Sequence, residues 1–470
     1  MSSAEVPDFQ RPLCWGTGLA LPRRVRRTLI WLSLLLLGCA GNLESAAVRD
    51  LNNDEFPRAR AAEGQSASRP QRAEFDGSLE RYVAYALEHN PELEAQYEEF
   101  RAATHRISRA RRLPEPTLTY TYFARGGPQR HGFGISQAFP WPTKLSAGAD
   151  ASALAAQSAK RQFEASALRV SARVSDAYWE LWLVSQVRRI QKEQLVLSRT
   201  TSDLVRSRLE IGAASLADVS QTDLVVSRAT DVIAGLDEAE RRSRAALRTA
   251  LGAPDGMDLP VHAAAPRLMA PAESDSALVA AAQTHPGVGA LELMAHSKSS
   301  SAESSNADRY PSFVVGLEYI ETGPAKMPNQ ADSGEDAVMV MLGVKLPLWG
   351  SSYSDEVDAA RADSASFKAR AASARNDARA RVDVVLSEIR DALRRAKLYQ
   401  HTLVPQATTA LKSVIGSYAA GRATLPQLLI AQRELLEIEL SLAQARAVHA
   451  RAWARLEDAV GRRVRAKEVS

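Results

Sequence analysis

The sequence has very little cysteine and lacks the short motifs that organise catalytic sites. Only 2 cysteines occur in 470 residues, and Cys14 lies in a segment that we expect to be removed. This excludes a disulfide framework and a paired-cysteine zinc site. The 8 histidines are dispersed without an HExxH pattern, and no glycine-rich phosphate loop follows a strand. We therefore predict that the protein is not an enzyme and holds no metal or cofactor.

Long hydrophobic runs are also absent, apart from one near the start. The run Leu29–Leu37 follows a cluster of arginines and is too short to span a membrane as a helix, so residues 1–38 are predicted to be an export signal. The signal ends at Leu36-Leu37-Gly38-Cys39, which resembles the lipobox of bacterial lipoproteins. This resemblance implies that Cys39 is acylated, and Ala40 then favours sorting to the outer membrane. The alternative is a plain signal followed by an unmodified cysteine.

The charge balance does not indicate a nucleic-acid partner. The full chain has a formal net charge of +4 and a pI near 9.0, but removal of the signal lowers the net charge to about +1. The remaining basic residues are scattered along segments with helical periodicity, as on solvated helix faces. We expect protein partners and outer-membrane lipid, and no nucleic acid.

The rest of the chain consists of two copies of one half. Ala86–Leu93 opens a series of helix, short alternating hairpin, very long helix, glycine and helix, and Ala281–Val288 opens the same series about 195 residues later. A repeat of this length indicates a duplicated half-protein rather than a solenoid unit. We assign the chain to a lipidated flexible tether, a first repeat, a second repeat and a C-terminal tail, at residues 39–77, 78–265, 266–461 and 462–470.

Periodicity predicts the elements of each half. Strict alternation predicts strands at about 117–123 and 132–139, and again at about 312–320 and 337–346. A period near 3.6 predicts helices over the rest, at about 79–112, 145–211, 215–251, 275–308 and 354–420, and a last helix after Gly421 that ends at about Val460. In each half the two shorter helices together match the long one. Stacked end to end they would flank it and give a rod of about 100 Å.

The predicted hairpins suit a membrane. Their strands are long enough for a tilted crossing of a bilayer, and aromatic residues gather at the strand ends, including Trp141 and Trp349, as in interfacial girdles. Strands with open edges cannot stand in lipid, and four strands cannot close a barrel, so membrane hairpins require oligomerisation. The alternative is two hairpins packed on a soluble helical domain, with both tryptophans as turn-packing residues.

The order of these parts resembles the outer membrane factor family of TolC-like channels over about residues 78–461. The resemblance rests on the Asn90-Pro91 and His285-Pro286 pairs, the hairpins, and the segments Phe139–Pro142 and Pro347–Gly350. It implies a mainly α fold with a small β part, in which a homotrimer shares one twelve-stranded transmembrane β-barrel and its antiparallel helices form a periplasmic α-barrel. It also implies an exit duct for efflux, which works with a periplasmic adaptor (membrane fusion protein) and a proton-driven inner-membrane RND-type transporter.

The resemblance also assigns roles to the ends of the helices. Some relatives narrow the periplasmic mouth with acidic residues six and nine positions after the second tip glycine. In this chain those positions hold Gln427 and Ile430, so that acidic ring is absent. Asp218 holds the first of these positions in the first repeat, as a gate residue or as a residue favoured by the helix dipole. The residues expected to dock the adaptor are Ile211, Gly212, Ala213, Ala214, Ser215, Ala420, Gly421, Arg422, Ala423 and Thr424.

The cargo is indicated only by lineage. Ser136–Leu145 resembles the heavy-metal branch of the family, associated with cobalt, zinc and cadmium or copper and silver, and this favours metal cations. The same channel could instead serve multidrug efflux or type I protein secretion. A rival of another class is a periplasmic coiled-coil structural or adaptor lipoprotein. An adaptor should carry one helical hairpin and a β-rich lipoyl-like segment, whereas this chain has two hairpins and lacks that segment.

Overall fold

The computed structural model describes residues 75–124, 127–261, 264–324 and 334–468. The predicted signal, the predicted lipidation site Cys39 and most of the predicted tether lie outside these residues. None of the helices that are described is both long enough and apolar enough to cross a membrane.

The chain is mainly α-helical, with few strands and a duplicated order of elements. The first half contains α1 (Leu79–His89), α2 (Pro91–Arg111), β1 (Thr117–Tyr122), β2 (Gln129–Phe139), α3 (Pro142–Glu210) and α4 (Leu216–Leu251). The second half contains β3 (Met269–Pro271), α5 (Asp275–Gln283), α6 (Pro286–Asn306), β4 (Ser312–Thr322), β5 (Ala337–Lys345), α7 (Gly350–Leu398), α8 (Val404–Ala419), α9 (Leu425–Val460) and β6 (Ala466–Glu468). This architecture confirms the predicted fold class for the single chain.

The two hairpins form one four-stranded antiparallel sheet in the order β1-β2-β4-β5. The sequence predicted each hairpin but not the pairing of β2 with β4, which joins the two halves. The two central strands are longer than predicted. Strand β2 begins at Gln129 rather than at about 132, and β4 ends at Thr322 rather than at about 320, because the two strands pair with each other beyond the end of β1. The outer strands β1 and β5 each end one residue earlier than predicted.

The helices stack in the way that their lengths suggested. Helices α1, α2 and α4 pack against α3, and α6 and α9 each contact both α3 and α7. Helix α5 packs against α7 and α9, and α8 packs against α9. The 69 residues of α3 span about 100 Å at 1.5 Å per residue. The predicted stripe on α3 is buried at Val170, Val174, Tyr178, Leu181 and Val184.

Three helices that were predicted to be continuous are interrupted. Asn90 and His285 have extended ψ angles of 122° and 138°, because a residue that precedes proline is pushed out of the α region. The third interruption is a π-helical turn at Tyr399–Leu403, which ends two residues before Pro405. Proline lacks an N–H group and its ring clashes with the preceding turn, so the regular hydrogen-bond ladder cannot continue there.

The end of the predicted flexible tether and the predicted C-terminal tail are both packed against the fold. Phe75 stacks on Tyr82 with ring centroids 4.4 Å apart, and the Tyr178 hydroxyl donates to the Gly77 carbonyl at 2.9 Å. The flexible tether therefore cannot extend to residue 77. The predicted tail at residues 462–470 contains β6, which pairs with β3.

Small side chains form the seams near the sheet. Buried alanines recur on α3, α6 and α7, and buried serines donate across the seams to backbone carbonyls of the neighbouring helix. These bonds are 2.8 Å from Ser158 to Ala290, 2.7 Å from Ser297 to Ala151 and 2.8 Å from Ser364 to Ala295. Each hydroxyl replaces its lost water contacts, so the serines can be buried between closely packed helices without an unsatisfied donor.

A pair of glycine substitutions tests the joint between α4 and α2. Gly252 has φ +68°, and a Cβ there would lie 2.5 Å from the Pro91 Cδ. We expect Gly252→Ala to destabilise the protein by about 2–4 kcal/mol. Gly235, inside α4, has nothing within 4 Å, so Gly235→Ala should stabilise the helix by about 0.5–1 kcal/mol. Thermal unfolding of the purified protein measures both changes, and equal effects would contradict this account.

Candidate functional sites at the helix tips and in the sheet

The first tip is the turn between α3 and α4. Gly212 has φ +72°, which glycine adopts without strain, and the Ala213 N–H donates to the Arg208 carbonyl at 2.8 Å. Ser215 and Asp218 then form a reciprocal capping box: the Ser215 N–H donates to the Asp218 carboxylate at 2.8 Å, and the Asp218 N–H donates to the Ser215 hydroxyl at 3.1 Å. These hydrogen bonds lower the pKa of Asp218 below its ordinary value, because they favour the charged carboxylate.

The second tip, between α8 and α9, repeats this geometry. Gly421 has φ +74°, and the Arg422 N–H donates to the Ser417 carbonyl at 2.8 Å. The Gln427 side chain accepts from the Thr424 N–H at 2.9 Å, as Asp218 does from Ser215. The ten predicted docking residues form these two turns, and all except Ala214 and Ala423 are exposed.

The two tips are tied to each other by a pair that the sequence did not single out. The Arg208 guanidinium lies 4.7 Å above the Tyr418 ring and also donates to the Tyr418 carbonyl. Tyr418 is buried with Val205, Leu425 and Leu428 in the apolar cluster behind the tips, and this burial raises the pKa of Tyr418. The sequence gives little indication of this contact, because a basic residue in the last turn of a helix commonly caps that same helix.

The predicted gate residues occupy defined places behind these turns. Asp218 and Gln427 are both the third residue of their helix and both close a capping box. Ile430, one turn further along α9, is 54% exposed and makes no part of the buried cluster. The six-residue offset from the tip glycine is therefore a capping position in both repeats.

The sheet has two chemically different faces. Strand pairing aligns two apolar rows across all four strands, and every side chain in them is 41–79% exposed in the single chain: Leu118, Ile135, Leu317 and Val340, then Tyr120, Phe133, Tyr319 and Val338. The alternate residues face the other way and are small or polar, with two methionines: Thr119, Gly134, Glu318 and Met339, then Thr117, Ser136, Gly316 and Met341.

The two predicted interfacial tryptophans differ from each other. Trp141 stacks on Tyr310 with ring centroids 5.0 Å apart, at the junction of the sheet with α3. Trp349, at the corresponding place before α7, is 75% exposed. Trp141 therefore packs on a turn, whereas Trp349 presents its ring outward.

A thin bundle of long helices, with two exposed tips at one end and an open-edged sheet with an apolar face at the other, defines a membrane protein with a long extramembrane part. The chain belongs to the outer membrane efflux protein family, whose sequence profile matches residues 83–253 and 277–462. This match confirms the predicted family and the interpretation that the chain is an outer membrane efflux protein rather than an enzyme.

Solved structures share this fold. A membrane protein from Pseudomonas aeruginosa superposes with a TM-score of 0.69 at 19% identity, over 85% of this chain and 97% of that one. CusC, whose structures concern folding and transmembrane channel formation, superposes with a TM-score of 0.69 at 14% identity, over 85% of this chain and 96% of that one. The open state of the MtrE outer membrane channel of Neisseria gonorrhoeae gives 0.64 at 17% identity, over 82% and 89%. No curated protein matches the sequence.

Across the described residues, no group of three or more His, Cys, Asp or Glu side chains could hold a metal ion.

Removal of the Arg208 side chain should loosen the second tip. We expect Arg208→Ala to speed amide hydrogen exchange at residues 418–424 about tenfold, because a cation–π contact and a charged hydrogen bond are lost. Arg206→Ala is the matched control, since Arg206 pairs with Asp223 of its own repeat at 2.8 Å. An equal response of the second tip to both variants would show that Arg208 does not tie the tips.

Proposed function

We propose that the protein is the exit duct of a tripartite efflux system, a homotrimer whose sheets form one β-barrel in the outer membrane. The observation that carries this proposal is the apolar face of a sheet with two open edges. In the single chain β1 and β5 each have a neighbour on one side only. Unpaired backbone groups in lipid cost several kcal/mol each, and a barrel needs about eight strands or more, so the sheet requires further copies to close.

The two faces of the sheet support the same arrangement. In a closed barrel the apolar rows face lipid, and the small or polar residues of the opposite face line the channel. The helices continue from the sheet for about 100 Å and end in the tips. On this proposal the helices form a periplasmic tunnel, and the tips dock a periplasmic adaptor that connects the duct to an inner-membrane RND-type transporter.

The remaining predictions from the sequence belong to this proposal. Residues 1–38 are the export signal, Cys39 carries the lipid anchor, and two efflux repeats follow at residues 78–265 and 266–461. Asp218, Gln427 and Ile430 lie near the periplasmic mouth. A ring that contains Asp218 from each chain would carry acidic charge even though Gln427 and Ile430 are neutral.

Adjacent residues on opposite faces of β5 test whether the sheet lies in lipid. Val340 is on the apolar face and 68% exposed, whereas Met341 is on the opposite face. We expect Val340→Arg to abolish assembly in the outer membrane, because an arginine on the lipid face costs about 2–4 kcal/mol near the bilayer centre. Met341→Arg should assemble. Chemical crosslinking of outer-membrane fractions provides the measurement, with a product of three chains expected for the wild type and for Met341→Arg. A stable monomer in the wild type would contradict the channel.

We further propose heavy-metal cations as cargo. The resemblance of Ser136–Leu145 to the metal-exporting branch supports this, and the methionine thioethers and the Glu318 carboxylate on the proposed channel face are groups that bind cations. A deletion strain should be sensitive to cobalt, zinc, cadmium, copper or silver salts, and the wild-type gene should restore growth. Sensitivity confined to dyes, detergents and antibiotics would leave the duct intact and replace the metal cargo with organic compounds. A secretion defect alone would indicate a polypeptide.

A further inference from the structure

Each half of the chain has a joint at which two stacked helices meet end to end. In the first joint Asn90 stands between α1 and α2, against the end of α4. Its Oδ1 accepts from the Glu92 N–H at 2.9 Å, and its Nδ2 donates to the Ala250 carbonyl at 2.9 Å. One side chain therefore caps α2 and binds the carboxyl end of α4.

In the second joint His285 holds the corresponding place, between α5 and α6 and against the end of α9. Its Nδ1 accepts from the Gly287 N–H at 2.9 Å, and the Asp458 backbone of α9 lies near enough to the ring to favour its protonated form. Because Nδ1 is an acceptor, the neutral ring carries its proton on Nε2. The two joints also share a left-handed glycine packed on the proline, with Gly252 in the first joint and Gly461 in the second.

The His285 imidazole thus caps its helix as the Asn90 amide does. The imidazole can bind a proton near neutral pH, whereas the amide cannot. Protonation of Nδ1 removes the lone pair that caps α6, so the Gly287 N–H loses its acceptor. An N-cap of this kind contributes about 1 kcal/mol. The first joint has no titrating side chain in the same role.

The surroundings of His285 oppose protonation on balance. Asp458 of α9 favours the charged ring, whereas Arg381 of α7 and Arg169 of α3 oppose it, and burial is the largest influence. The pKa of His285 is therefore lowered from its ordinary value of 6.5. Burial also raises the pKa of Asp458, so the favourable counter-charge weakens in acid.

We propose that the second joint is an acid-sensitive latch, in which protonation of His285 uncaps the start of α6 where it packs on the end of α9, while the first joint stays closed. Helix α6 leads directly to β4 of the sheet, and α9 leads back from the second tip. Acid then loosens the connection between the sheet and the tip in the second half only. An outer membrane protein is exposed to changes in the pH outside the cell, so a joint of this kind would respond to conditions that the chain meets.

The sign of the pH dependence follows from the lowered pKa. The opened joint exposes His285 with its ordinary pKa, so between that value and the lower pKa of the closed joint the opened form binds more protons. Opening should therefore increase as the pH falls below about 6.5, by at most tenfold per pH unit, and level off below the pKa of the closed joint.

Amide hydrogen exchange on the purified full chain tests this between about pH 5 and 7.5, corrected for the intrinsic effect of pH on exchange. Protection at Gly287, Val288 and Gly289 should fall with acid in the wild type, while protection at Glu92 and Leu93 stays constant. His285→Asn copies the first joint and should give constant protection at both joints. Asn90→His should transfer the acid response to the first joint.

Three outcomes would overturn the proposal. The first is constant protection at Gly287–Gly289 in the wild type. The second is an unchanged acid response in His285→Asn, which would place the titration on Asp458 or Glu457 instead. The third is an equal acid response at the unmodified first joint, which would indicate general acid loosening of the fold. The wild-type profile decides the first and third outcomes even if a variant fails to fold.

Discussion

The structure depends on close packing along the seams between very long helices. A rod that is only a few helices thick has no centre in which a large core can collect, so stabilisation must be distributed along its length. The chain meets this constraint differently at different heights. Near the sheet the seams hold alanines and carbonyl-bonded serines such as Ser158 and Ser297. Near the joints they hold large side chains such as Tyr82, Tyr178 and Trp182.

Stacking short helices against a long one creates the two joints, and these are where the backbone departs from ideal helices. Each joint must end one helix, start another and leave no helix terminus without a hydrogen-bonding partner. At each joint a proline starts one helix (α2 or α6), and the polar residue before the proline caps that helix. A left-handed glycine ends the other helix (α4 or α9). Position 252 requires glycine, because the Pro91 ring occupies the space that a Cβ atom would need. The joints are therefore fixed by sterics rather than by general helix propensity.

The sequence predicted most of the fold, and the differences have local physical causes. Periodicity identified the long helices and the buried stripe from Val170 to Val184, because one face of each helix is buried. The breaks at Asn90 and His285 were missed since proline is also compatible with the first turn of a helix. The pairing of β2 with β4 and the Arg208–Tyr418 contact join residues about two hundred positions apart. No periodicity encodes such contacts, so the sequence could indicate the tips but not what holds them together.

The capping boxes explain how the charge near the tips can vary without loss of the fold. Position six after each tip glycine is the third residue of a helix, where a carboxylate or an amide oxygen accepts from the capping residue. Asp218 and Gln427 meet this requirement equally in geometry, and they differ by one negative charge. A carboxylate there is favoured by the helix terminus whether or not it also faces a pore. The structural role therefore restricts this position to a small set of oxygen-bearing side chains, and within that set the fold does not fix the charge.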